Sequence, residues 1–188
     1  MLLAALVINA TMFVVESLAG LMAGSAALIA DSVDNFGDAS VYLLSLYALD
    51  RTLRWRAGAA MVKAGIVFLF GAGVLFEVGR RVIDGGVPVA QTMGIVGLLA
   101  LLANLTCLGL LWRFRAHDVN MSSTFECSRN DVIANIGVLA AAAAVWLAGA
   151  AWPDLLIGLL IAAVFLRSAW LIARSAWPQL MGDRVATG

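Results

Sequence analysis

Apolar residues run along the chain in six long blocks, and the polar or glycine-proline breaks between them are short. A helix needs about 20 residues to cross a hydrocarbon core of roughly 30 Å. The blocks at 2–22, 25–49, 58–83, 91–113, 120–148 and 153–174 therefore predict six transmembrane helices. Turn signals fall at Ala23-Gly24, the charged run Asp50 to Arg56, Asp84-Gly85-Gly86 with Pro88, Arg115 to Asp118, and Trp152-Pro153. Such short connections make neighbouring helices antiparallel. The expected fold is an all-α membrane protein, with one six-helix domain over 1–176 and a tail over 177–188 too short to build a soluble domain.

Composition sharpens this picture. Mean hydropathy is +0.97, with 63% hydrophobic and 13% charged residues, which lies outside the range of soluble domains and identifies the lipid bilayer as the solvent. Formal net charge is +0 and no basic block exists, so there is no electrostatic footprint for nucleic acid. Cys107 and Cys127 lack C-x-x-C spacing, so neither a disulfide framework nor a zinc ribbon is indicated. Seven arginines follow spans two, four and six (Arg51, Arg54, Arg56, Arg113, Arg115, Arg174 and Arg184) against Arg80 and Arg81 after span three. The positive-inside rule then places both termini in the cytoplasm. Trp112, Trp146, Trp152, Trp170 and Trp177 fall near predicted span ends, as interfacial belts require. Short loops and an alanine-rich composition suggest a bacterial inner membrane.

One polar pattern works against all this apolar burial. In Ser25 to Asp38, written SAALIADSVDNFGD, steps of three and four put Asp31, Asp34 and Asp38 on one helical stripe about 60° wide. Each ionised Asp at the bilayer centre costs roughly 2.5–3.5 kcal/mol on insertion scales, so these carboxylates must be paired, protonated or bound to a cation. Span five supplies a counterpart, since Cys127 and Asp131 in SSTFECSRNDVIANIG are also four residues apart. Entering from opposite sides, Asp34 and Asp38 reach roughly 14–20 Å deep and Cys127 and Asp131 roughly 10–17 Å at 1.5 Å per residue, so the two pairs meet near the midplane. Three carboxylates and a thiolate suit tetrahedral coordination of a divalent ion, and the sulfur favours Zn(II) or Cd(II) over Mg(II) or Ca(II). These four groups cannot all be ionised in a low-dielectric cavity, so the empty site is expected to hold protons that metal binding expels.

Other polar positions take secondary roles. Asn9 and Glu16 in span one are seven residues apart and nearly superimposed on one face; lining the same cavity and bonding between helices are both open readings. Asp31 is expected as an exit or proton-relay group, and Glu126 as a vestibule group or a contact to a neighbouring helix. Glu77 and Arg81 read as a structural i, i+4 ion pair. Asn104, Thr106 and Cys107 read as packing residues, Arg129 as a snorkelling side chain, and span six, with Asp154 at its start, as scaffold. His117 falls in a predicted loop, so no span holds a histidine.

The stretch SAALIADSVDNFGD is similar to the second-helix motif of the cation diffusion facilitators, in which His or Asp is followed four residues later by Asp; Asp34 and Asp38 fall on those positions. CSRND falls on the fifth-helix motif, with Cys127 where the family usually has His or Asp and Asp131 where it usually has Asp. Asn9 and Glu16 match the first-helix pattern. The resemblance implies a six-helix transporter, usually a homodimer, that exports divalent metal from the cytoplasm in exchange for protons. It has no prosthetic group, Zn2+ or Cd2+ being the transported ion. The chain reads as a short member without the family's cytoplasmic C-terminal domain. Two rivals are a proton-coupled exporter of organic cations and an intramembrane enzyme. The first has no aromatic lining to point to, and the second no general base for the thiol beyond carboxylates.

Overall fold

The structure, a computed structural model, describes residues 2–47, 53–113 and 119–181. It is all helical: α1 Leu2–Ala23, α2 Ala26–Tyr47, α3 Leu53–Asp84, α4 Ala90–Trp112, α5 Val119–Ala148 and α6 Trp152–Met181. Five of these helices are long and apolar enough to cross a membrane. The remaining one, α2, carries Asp31, Asp34 and Asp38 in its middle, which lowers its hydropathy without shortening it. Its 22 residues span about 33 Å at 1.5 Å per residue, long enough for the hydrocarbon core.

Three boundaries differ from expectation. Trp152 and Pro153 open α6 and the break lies at Gly149–Ala151, because the first helical turn needs no N–H from proline. At the other end α6 runs through Pro178 to Met181, beyond the predicted limit at 174. The charged run before span three is divided: Leu53 to Arg56 belong to α3, while 48–52 lie outside the described residues, as do 114–118 with His117.

The helices pack as pairs, α1 with α2, α4 with α5 and α3 with α6. The first two pairs join through α1–α4 and α2–α5 contacts into a four-helix group, and α6 lies against both α2 and α5. Their shared core is built from small residues, among them Ala26, Ala27, Ala30, Ala141, Ala142 and Ala162, with Val33, Val74, Met93, Val138 and Phe165 filling between. Small side chains permit close backbone approach, which is how helices associate where lipid removes the hydrophobic drive. Gly158 shows this most tightly, since a Cβ there would lie 2.9 Å from the Ala26 carbonyl carbon. Large apolar residues such as Met22, Phe76, Ile83 and Leu147 face outward, as a bilayer solvent demands.

The end of the bundle holding the α1–α2 turn is pinned by polar contacts. Gly24 takes φ 70°, and a Cβ there would meet the Arg81 guanidinium at 2.7 Å. Arg81 donates to the Gly24 carbonyl and pairs with Glu77 at 2.8 Å, as its i, i+4 spacing predicts. Asp154, fully buried, crosses from α6 to cap α2: its carboxylate accepts from Ser25 Oγ at 2.5 Å, Ala26 N at 2.7 Å and Ala27 N at 3.1 Å. Leu28 N donates to Ser25 Oγ at 3.1 Å, so the first turn of α2 has few orphan donors. The start of α6 is therefore scaffold, with a specific polar task.

Candidate metal centre

With its start fixed by Asp154 and Ser25, α2 presents Asp34 and Asp38 one turn apart toward α5. Among the described residues, Asp34, Asp38 and Asp131 form a group in which one carboxylate oxygen from each lies within 4.8 Å of the others. Asp38 and Asp131 are buried at 3% and 4% exposure, and Asp34 is partly buried. Asp131 Oδ2 has no hydrogen-bond partner, and neither has Ser128 Oγ, three residues earlier on α5. Two unit charges 4.8 Å apart repel by roughly 3.5 kcal/mol at an effective dielectric of about 20. A cation or shared protons must therefore accompany three such carboxylates. Cys127 lies on α5 four residues before Asp131, and its side chain, like that of Glu126, is outside the described residues.

Tyr42, one turn beyond Asp38 on α2 and 1% exposed, donates its hydroxyl to Asp38 Oδ2 at 3.4 Å. Its i, i+4 spacing from Asp38 was the available signal for a positioning residue.

The remaining predicted positions separate into two neighbourhoods. Asn9 donates to Ala5 O at 2.9 Å and to Cys107 Sγ at 3.7 Å, so it belongs with α4. Glu16 accepts from Asn35 Nδ2 at 2.9 Å and belongs with α2. The two share a face of α1 but stand about 10 Å apart along the axis, seven residues at 1.5 Å each, so each meets a different partner. Asp31, at 1% exposure, accepts from Asn135 Nδ2 at 2.7 Å, and Asn135 Oδ1 accepts from Asn104 Nδ2 at 3.3 Å. Asn35 and Asn135 were not singled out in the sequence, although each lies four residues after an Asp of the predicted site, Asp31 and Asp131. Asn104 packs, as expected, but does so through a polar bond.

Sequence comparison gives this geometry a family. The chain is 28% identical to a zinc transporter, ZitB, of Pectobacterium atrosepticum over 96% of its own length and 60% of the relative's. It is 24% identical to a zinc transporter, ZitB, of Yersinia pestis over 96% and 62%, and 26% identical to the metal cation efflux system protein CzcD of Cupriavidus metallidurans over 92% and 58%. The chain thus spans about three fifths of the length of the curated relatives it matches. Its apolar helices make it an integral membrane protein. A family model described as the cation efflux transmembrane domain matches residues 2–181, and on that match over nearly the whole sequence the chain belongs to the cation efflux family.

Proposed function

We propose that the chain exports a divalent transition metal, zinc or cadmium, from the cytoplasm in exchange for protons, with Asp34, Asp38, Cys127 and Asp131 as the ligands of the moving ion. The observation that carries this is the convergence of three carboxylates within 4.8 Å, from two helices of an apolar bundle. A cluster of that charge is compensated either by a dication or by protons, so the two occupants exclude each other at one site. If the bundle exposes the site alternately to each side, that exclusion couples metal leaving to protons entering. The relatives named as zinc transporters and a metal cation efflux protein support the cargo class. The thiol of Cys127 supports a borderline or soft ion.

Transport, and not catalysis, is the role this arrangement serves; a homodimer with cytoplasmic termini is the assembly we expect. The test is proton flux from proteoliposomes on adding Zn(II) or Cd(II) under an imposed pH gradient, with Asp38→Asn as control. Metal-driven flux that vanishes in the variant is the expected result. An absence of flux with every divalent metal would refute the proposal.

A further inference from the structure

Next to the carboxylate cluster, toward the α1–α2 turn, lies a second polar group that the proposed ion ligands leave unused. It is formed by Glu16 of α1, Asp31 and Asn35 of α2, Asn104 of α4 and Asn135 of α5, and none is more than 2% exposed. The hydrogen bonds account for its donors. Asn35 Nδ2 reaches both Glu16 Oε2 at 2.9 Å and the Asp31 backbone carbonyl at 3.3 Å. Asn135 Nδ2 serves Asp31 Oδ2, and Asn104 Nδ2 serves Asn135 Oδ1.

What is left over is one-sided. Glu16 Oε1, Asn35 Oδ1 and Asn104 Oδ1 are buried without a partner, and all three are oxygens. Each orphaned buried acceptor costs about 1–3 kcal/mol, and amide donors cannot balance the charge of two carboxylates. Among the described residues, the hydrogen bonds that serve the group come from amides and not from Lys or Arg. An electropositive occupant that several oxygens can share relieves both deficits, and carboxylate with amide oxygens is the donor set of an oxygen-ligated cation.

We infer that Glu16, Asp31 and Asn35, steadied by Asn104 and Asn135, form a second, oxygen-only binding site for a divalent cation. Asp31 is three residues from Asp34, about 4.5 Å along the axis of α2, so the two sites are successive stations on one stripe. The inference rests on the transport reading in one respect: the ion that reaches this station is the one released from the Asp34, Asp38 and Asp131 cluster. Passing from a site with a thiolate to one with oxygens alone weakens the hold on a borderline metal, which favours its release on the far side.

The experiment is equilibrium dialysis of Zn(II) against the whole chain in nanodiscs. The wild type should bind two Zn(II) per chain, Asp131→Asn one, Glu16→Gln one, and the double variant none. Asn35→Asp adds a carboxylate in place of an orphaned amide oxygen and should tighten the second ion at least tenfold, a gain that a misfolded protein would not show. One Zn(II) per wild-type chain, unaltered by Glu16→Gln while transport proceeds, would overturn the second site alone. So would a second ion that persists in Glu16→Gln. A wild type that neither binds nor moves Zn(II) would overturn the transport reading with it.

Discussion

Replacing Asp131 by Asn should stabilise the metal-free protein and reduce its response to zinc to that of the Glu16 and Asp31 site, so the wild type gains on the variant when metal is added. Asp131 places an oxygen within 4.8 Å of both Asp34 and Asp38, and its Oδ2 is buried without a partner. Each like-charge contact costs roughly 3.5 kcal/mol at an effective dielectric of about 20 if both groups are ionised, and shared protons reduce that sum. Asn removes the charge and offers two N–H donors to the same neighbours, so the expected net gain without metal is about 1–3 kcal/mol. With zinc at a hundred times the dissociation constant of the Asp34, Asp38 and Asp131 site, that site adds about 2.7 kcal/mol by linkage to the wild type, while the variant keeps only what the Glu16 and Asp31 site adds. Denaturant unfolding in micelles, followed by far-UV circular dichroism in chelator and then in zinc, measures both arms. If Asp131→Asn is less stable in chelator and zinc raises it as much as the wild type, the carboxylates are held for packing and the ion site lies elsewhere.

Three further substitutions have definite expected outcomes. Asp154→Ala removes three hydrogen bonds and strands the Ala26 and Ala27 amides in a buried helix start, so it should destabilise by roughly 3–4 kcal/mol, with Asp154→Asn between it and the wild type in the same unfolding assay. Gly158→Ala forces a Cβ to within 2.9 Å of the Ala26 backbone, and thermal unfolding should show a loss of about 1–3 kcal/mol; no loss would mean that α2 and α6 separate freely. Cys127→His should keep zinc transport and lower cadmium transport relative to zinc, because imidazole is harder than thiolate; an unchanged ratio in proteoliposome uptake would remove Cys127 from the ligand set.

The six helices were legible because each apolar block had to be about 20 residues long, and the Asp34, Asp38 and Asp131 convergence because i, i+4 spacing and depth are both set by helix geometry. What spacing could not carry was the choice of partner across helices. Asn9 and Glu16 share a face of α1, yet one finds Cys107 on α4 and the other Asn35 on α2. Asp154 caps a helix that begins about 130 residues earlier in the chain, a contact no local pattern encodes. Asn35 and Asn135 carry no signal of their own and Asn104 reads as packing, because a single amide in an apolar helix does; only the bonds between Asn104, Asn135 and Asp31 show that three helices share one network. α6 passes the expected limit at 174 and takes in Pro178, whose missing donor and crowding of the carbonyl four residues back are tolerated with only three helical residues left to Met181.

The polar groups in and at the end of this bundle fall into two kinds, and their difference separates holding from working. Near the α1–α2 turn, Asp154 has three donors, and Glu77 and Arg81 have each other with the Gly24 carbonyl beyond them. Those groups are matched in charge and hydrogen bonding, and they fix where α2 starts. Further along the same helix the matching stops: Asp131, Glu16, Asn35 and Asn104 all keep an oxygen without a partner. A bundle selected for stability alone would have traded these groups for apolar residues, since a half-satisfied polar cluster in a low-dielectric interior is worse than none. Their deficits are of one sign, acceptor without donor, and these residues adjoin α2 between Asp31 and Asp38, Glu16 through Asn35, Asn104 through Asn135, and Asp131 beside Asp34 and Asp38. On the proposed transport reading, a cation passing along α2 would meet these unpaired oxygens beside a helix whose start Asp154 has already set, so a fixed end and an unfinished path would lie on one helix.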